Sequence, residues 1–206
     1  IIFLSIQVSF TALIISSFFA LILSYILALK NFFFKNIIII FFNSLMGIPP
    51  VVVGLIVYFI VSREGPLGVF NLLYTPTAMI IAQTIIIFPI VFSLSYEIFS
   101  QNWKNYHDHF RAFNIPFGGI FIILFRQNYF ALITILMSGF GRAISEVGAV
   151  MIVGGNIDHF TRVMTTAITL ETRMGNLEYA MSLGIILILL TMVINTIVYL
   201  FNLKNR

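Results

Sequence analysis

The chain has 206 residues, of which 60% are hydrophobic and 9% charged, with no cysteine, a net charge of +4 and a mean hydropathy of +1.08. Soluble domains carry roughly a quarter charged residues, so this is an integral membrane protein of several spans and one domain. Disulfides and thiol ligands are excluded, and so small an excess of positive charge does not point to nucleic acid.

Each helical crossing of a bilayer needs about 20 mainly apolar residues, and five stretches qualify. The first is Ile2–Leu29. No Met precedes it and Ile1 already lies in the apolar run, so the natural chain is expected to begin earlier. The run lacks a basic leader and far exceeds the ~7–15 apolar residues of a signal-peptide core, so it reads as a span. After the joint "KNFFFK" comes the second, Ile37–Val61, interrupted by Pro49 and Pro50 between Gly47 and Gly54. Proline has no N–H, so the carbonyls of Leu45 and Met46 lose their helical donors. In lipid such carbonyls need other partners or a watery cavity, and this pair reads as a hinge or pathway element.

The joint "SREGPLG" leads to "TPT", where Thr75 is placed to cap a helix and Pro76 to occupy its first position. The third span, Thr77–Phe99, contains Pro89, read as a packing kink. A long joint, Ser100–Asn128, carries Lys104, Asp108, Arg111 and Arg126. The fourth span, Tyr129–Val153, contains Arg142 and Glu146. The joint Gly154–Asn176 and the fifth span, Leu177–Leu203, complete the chain. Seven Lys and Arg residues (Lys30, Lys35, Lys104, Arg111, Arg126, Lys204, Arg206) fall on one side, against Arg63, Arg162 and Arg173 on the other. Basic residues concentrate on the cytoplasmic side, so the C-terminus is expected inside, in the cytoplasmic (inner) membrane of a bacterial or archaeal cell.

Catalytic signatures are missing. No Lys follows a glycine in a phosphate-binding loop, no serine sits in a G-x-S-x-G setting, and no carboxylate pair suggests acid–base chemistry. "HDH", His107–His109, has no third ligand nearby and reads as a solvated joint, so no metal or cofactor is expected on this chain. Five helices are few to enclose a solute path, which implies a dimer or larger assembly.

The long joint followed by "GRAISEVGAVMIVGG" resembles the permease subunits of type I ABC importers, in which a cytoplasmic EAA…G loop precedes a span with a "GE-F/V-GA" core. Here the core reads "SEVGA", and "DHFRAFNI" stands at the loop: Asp108 occupies the Glu position, Ala112 lies in the first turns and Asn114 replaces the glycine. Asn is the next most tolerant residue for a left-handed turn. "GIPPVVVGLIVYFIVSREGPLG", "GFGRAISEVGAVMIVGGNI" and "TRVMTTAITLET" are similar to tungstate-importer permeases, with molybdate permeases as the nearest relatives. The resemblance spans nearly the whole chain.

That resemblance implies an all-α type I permease fold, a homodimer around a central path, two cytoplasmic ATPase subunits that bind ATP–Mg, and an extracytoplasmic binding protein that delivers the oxyanion. It places the ATPase contact at residues 100–128, centred on His107 to Pro116. There Phe110, Ala112 and Phe113 are expected to form the side buried in the ATPase, with Asp108 and Arg111 at the rim and Asn114 and Pro116 turning the chain. Molybdate, sulfate or another solute, and a non-transporting scaffold role, are the competing readings.

Arg142 and Glu146 stand at i, i+4 on the expected fourth helix and can neutralise one another. Ionisable residues inside spans also mark pathways, so pairing and gating both remain open, with Ser145 beside them. In the outer joint, a helix over "NIDHFTRVMTTAITLETRMG" would place Arg162, Thr165, Thr166, Thr169 and Arg173 on one stripe, with Asp158 pairing with Arg162. The plain expectation is a two-faced helix at the outer surface. The sharper one is that its hydroxyls and guanidinium meet the oxyanion, which suits the planar donor fork of Arg.

Overall fold

The computed structural model describes residues 1–204, with side chains described to Leu200; Asn205 and Arg206, the latter counted above among the cytoplasmic basic residues, lie outside the described residues. Among the described residues the regular structure is all helix. Among these described residues three helices are long and apolar enough to cross a membrane, or up to five spans if each bent pair is one.

The first helix, α1 (Ile2–Leu29), shows why it sits at the centre. Ser5, Ser9, Ala12, Ser16, Ala20, Ser24 and Ala28 are all buried, spaced three or four residues apart, whereas Phe3, Phe10, Ile14 and Phe18 face outward. Small residues on one face let two backbones approach closely. That face packs along the helix Pro76–Ala112. Tyr25 adds an aromatic tie, its ring edge-on to Phe99 and its hydroxyl donating to the Phe117 carbonyl.

The expected second span is two helices, α2 (Lys35–Leu45) and α3 (Pro50–Val61), meeting at 106°. The N–H groups of Met46, Gly47 and Ile48 reach back three residues to the carbonyls of Asn43, Ser44 and Leu45. Leu45 thereby recovers a donor, and Pro50 sits in the first turn of α3, where a missing N–H is tolerated.

Next comes α4 (Pro76–Ala112), which opens as expected: the Ala78 N–H donates to Thr75 Oγ1 at 3.4 Å. It runs past Pro89 without a break and does not stop at Phe99. With 37 residues it is about 55 Å long, so most of the long joint is helix rather than loop. Residues 100–112 contain neither Gly nor Pro, and Trp103 and Phe110, two turns apart, stack on each other and on the core. The helix ends in a left-handed cap: Asn114 has φ 49°, its N–H donates to Arg111, and the Ile115 N–H reaches Phe110.

Beyond that cap lie α5 (Phe117–Gln127) and α6 (Tyr129–Ile144), bent by 76°. The expected fourth helix is interrupted. It stops at Ile144 and resumes as the short α7 (Gly148–Gly154), so Arg142 and Glu146 do not share one helix. The outer joint differs as well. Residues 156–163 form turns, with left-handed Asn156 and His159, and helix α8 begins only at Met164 (Met164–Met174). Met164, Thr165, Thr166 and Ala167 are buried while Phe160 is exposed, so this is not a helix lying on the outer surface. The chain closes with α9 (Leu177–Lys204).

Candidate functional site

The interruption between α6 and α7 organises the site. A helix end leaves carbonyls without donors and the next start leaves N–H groups without acceptors, and in a membrane both need partners. Here several of them are supplied by named groups. Ala143's carbonyl accepts from the Glu146 N–H at 3.2 Å and from Gln83 Nε2 of α4 at 3.0 Å. Arg142's carbonyl accepts from Ser145 Oγ at 3.1 Å. On the other side of the break, Glu146 Oε1 accepts from the Ala149 N–H at 3.2 Å and so caps α7. Thr165 Oγ1 donates to the Glu146 carbonyl at 2.8 Å, tying α8 to the same point.

The two charges meet across the break. Arg142 Nη1 lies 3.1 Å from Glu146 Oε2, with the carboxylate side chain 4% exposed and the arginine 36% exposed. Pairing is therefore as expected, by a different local geometry: the last turn of α6 points Arg142 at a residue held in the gap. Glu146 is buried and doubly engaged, while the Arg142 side chain stays partly exposed.

The double-proline break belongs to the same locus. A Cβ on Gly54 of α3 would lie 2.7 Å from the Ala149 Cα of α7, and one on Gly148 would lie 2.7 Å from Val51 Cγ2. The segments after the two breaks thus pack backbone to backbone, with Pro50 partly buried and Pro49 exposed nearby along the chain. Gly139 lets α6 press equally closely on α1 and α4, where a Cβ would meet Leu13 and Ile87 at 3.1 Å each. With Leu132, Ile135, Phe140 and Ile144 buried and Phe130, Ile133 and Met137 half-buried, α6 fully exposes only Ala131, Thr134 and Ser138, followed by half-exposed Arg142 and, past the helix end, Ser145.

The outer-joint residues are not all brought to this surface. Arg162 pairs with Asp158 at 3.0 Å, as expected. Thr165 is buried against Glu146, and Thr166 Oγ1 accepts from the Val163 N–H at 3.1 Å. Both hydroxyls therefore tie backbone segments of the wall together. Sequence reasoning missed Gln83 and Ser5, whose Oγ accepts from the Met164 N–H at 2.8 Å. A lone amide in an apolar span is a signal that would have found Gln83.

At the cytoplasmic end expected from charge, the residues 107–116 divide differently from the expectation. Phe110 is 7% exposed and packs within its own chain, whereas Phe113 is 75% exposed. Asp108, Arg111 and Ala112 are exposed too, and His107 Nδ1 lies 3.0 Å from Asp108 Oδ1. Trp103, Phe110, Arg111, Asn114, Ile115 and Ile120 line a cavity of about 500 Å³ in the elbow before α5, and Pro116 starts the turn into that helix.

Three relatives share this sequence pattern. A probable anion ABC transporter permease protein of Haloferax volcanii is 39% identical over 198 residues, covering 94% of this chain and 85% of the relative. The tungstate uptake system permease protein TupB of Peptoclostridium acidaminophilum is 40% identical over 199 residues, covering 97% and 87%. TupB of Campylobacter jejuni is 36% identical over 169 residues, covering 82% and 71%. The family described as binding-protein-dependent transport system inner membrane component matches residues 5–205. On that extent of match this multi-pass membrane protein, with its two broken helices packed at one locus, belongs to the binding-protein-dependent transport system inner membrane components, the permeases of ABC transporters.

Proposed function

We propose that this chain is a single permease domain, the membrane-spanning subunit of an ATP-driven importer for a tetrahedral oxyanion, with tungstate as the substrate. Two copies surround a central path, two cytoplasmic ATPase subunits bind and hydrolyse ATP–Mg, and an extracytoplasmic binding protein delivers the anion. The assembly sits in the cytoplasmic membrane with the C-terminus inside. The tungstate reading is supported by the two relatives named as tungstate uptake permeases.

One observation carries the path reading. The most exposed face of α6 holds Ala131, Thr134, Ser138 and the partly exposed Arg142, flanked by half-buried Phe130, Ile133 and Met137. Lipid is a poor solvent for such a face, and small residues suit close approach of a second helix or a narrow wet passage. Pro49, Pro50, Arg142, Ser145 and Glu146 are the path and gate candidates around it, with Arg162, Thr165 and Thr166 as candidates on the outer joint. Residues His107 to Pro116 form the ATPase contact, with Phe113 as its exposed aromatic anchor.

Reconstitution of this chain with its ATPase and binding protein in proteoliposomes tests the reading. ATP-dependent accumulation of tungstate, competed by molybdate, is the expected result. ATP-dependent accumulation of a different solute, or no accumulation of any oxyanion by an assembled complex, overturns it.

A further inference from the structure

The single charge on the open face of α6 is held from behind by an opposite charge that no solute reaches. Glu146 is buried, its Oε1 engaged by the Ala149 N–H at 3.2 Å and its Oε2 by Arg142 Nη1 at 3.1 Å. Its backbone carbonyl is engaged as well, by Thr165. Arg142 is different. A guanidinium has five N–H donors in one plane, and contact through Nη1 leaves donors on the exposed edge of the fork. The surface beside that edge bears Ser138 one turn earlier and Ser145 three residues later, both exposed and both too small to cover it.

We propose that Arg142 is the residue that contacts the oxyanion during passage, and that Glu146 is a positioning residue whose charge keeps that contact weak. The inference rests on the importer reading above. A guanidinium fork matches the oxygens of a tetrahedral anion, but an uncompensated cation in a low-dielectric passage would hold a dianion too long. Conduction requires binding favourable enough to enter and weak enough to leave. Glu146 cancels the longer-range field of Arg142 and leaves the short-range, directional donors. Its position on the buried side means that the anion adds to the pair and does not replace the carboxylate. In a two-fold assembly two such forks face one path, matching the two charges of the dianion, and the empty path stays neutral.

The complete transporter in nanodiscs, as wild type, Glu146→Gln, Arg142→Gln and Arg142→Lys, tests this with tungstate and with perrhenate, a tetrahedral monoanion. Gln at 146 keeps an oxygen for the Ala149 N–H, removes the charge and turns an amide NH2 in place of Oε2 toward Arg142. Glu146→Gln is expected to tighten equilibrium tungstate binding to the permease–ATPase complex about tenfold, and to slow maximal uptake by a similar factor. Arg142→Gln is expected to abolish that binding and the preference for tungstate over perrhenate, and Arg142→Lys to restore part of both. Loss of binding in Glu146→Gln as well as in Arg142→Gln would make the pair purely structural and overturn the proposal. So would an assembled Arg142→Gln transporter with unchanged uptake and unchanged tungstate-to-perrhenate ratio. If Arg142→Gln fails to assemble, Arg142→Lys decides, since an unchanged anion ratio and unchanged binding there overturn the proposal too. A wild-type transporter that accumulates no tungstate overturns the importer reading instead, and this inference with it.

Discussion

Helices α6 and α9 are both built mainly of apolar residues, yet they spend them in opposite directions. On α9, Ile185, Ile188, Leu189, Met192, Val193, Ile197 and Leu200 stand exposed, and its few polar groups fold onto their own backbone, as Thr191 Oγ1 does on the Ile188 carbonyl. Helix α6 buries Leu132, Ile135, Phe140 and Ile144, half-buries Phe130, Ile133 and Met137, and leaves only Ala131, Thr134 and Ser138 fully outside. Hydropathy along the sequence sees two similar helices. The faces suit two different surroundings: hydrocarbon for α9 and, on the proposed function, a second copy or water for α6. An apolar helix in a membrane is therefore read from which residues it exposes, not from how many apolar residues it holds.

The largest expected effect comes from glycines that separate the two situations. Gly54→Val drives a side chain into the Ala149 backbone, which a Cβ already meets at 2.7 Å, whereas Gly184 on α9 has nothing within 4 Å. Gly54→Val should destabilise the chain by about 3 kcal/mol or more, read as thermal unfolding in detergent, and Gly184→Val should be nearly silent. Equal effects would mean that α3 and α7 do not pack as described.

A charge placed on each face sharpens the contrast directly. Ile188→Arg puts a guanidinium into lipid, at a cost of about 3 kcal/mol for a central position, so membrane insertion and yield should drop. Ser138→Arg should insert normally and abolish uptake by obstructing the path. Failure of Ser138→Arg to insert, with Ile188→Arg tolerated, would reverse the assignment of the two faces.

Much of this arrangement was legible in the sequence, and the misses share a cause. The Thr75 cap, the break at Pro49–Pro50, the left-handed turn at Asn114 and the Asp158–Arg162 pair all depend on neighbouring residues. The break after Ile144 has no proline to announce it. It is sustained by Gln83, which bonds Ala143 from 60 residues away, and by Thr165, 19 residues beyond Glu146. Helix α8 read as a surface helix because its threonines look polar, although their hydroxyls are consumed by backbone groups inside the fold. The extension of α4 to Ala112 was hidden because its charged letters suggested a loop, while Trp103 and Phe110 keep helical spacing.

Outside the bilayer the same distinction applies to two phenylalanines. Phe110 is packed within the chain and Phe113 is exposed. Phe110→Ala should lower the stability of the permease itself, by about 3 kcal/mol for a buried ring. Phe113→Ala should leave stability unchanged and weaken ATPase assembly by about 2 kcal/mol, more than Asp108→Ala at the rim. Co-purification of the ATPase with each variant reads the difference, and wild-type assembly of Phe113→Ala would move the docking site elsewhere.

A smaller effect is expected from the prolines. Because Pro50 lies in the first turn of α3, neither proline removes a bond the helix would otherwise make. Pro49→Ala with Pro50→Ala should change stability by less than about 1 kcal/mol, while uptake falls severalfold if the 106° bend is a hinge. Undiminished uptake would reduce the pair to packing.

The smallest effect is the most discriminating, because it compares identical chemistry on the two faces. Thr134 Oγ1 donates to the Phe130 carbonyl and Ser138 Oγ to the Thr134 carbonyl, each at 3.0 Å, and on α9 Thr191 Oγ1 donates to the Ile188 carbonyl at 2.8 Å. All three hydroxyls are self-satisfied on their own helix, so replacing any of them by Ala should shift stability by no more than about 0.5 kcal/mol. Their second roles differ. A hydroxyl bonded to its own backbone still has lone pairs, and on a wet face these organise water beside Arg142, whereas on a lipid face they meet nothing. Thr134→Ala with Ser138→Ala should therefore slow tungstate uptake a few-fold at unchanged thermal stability, and Thr191→Ala should leave uptake untouched. If the α9 variant slows uptake and the α6 pair does not, the face of α6 is not the one that borders the path.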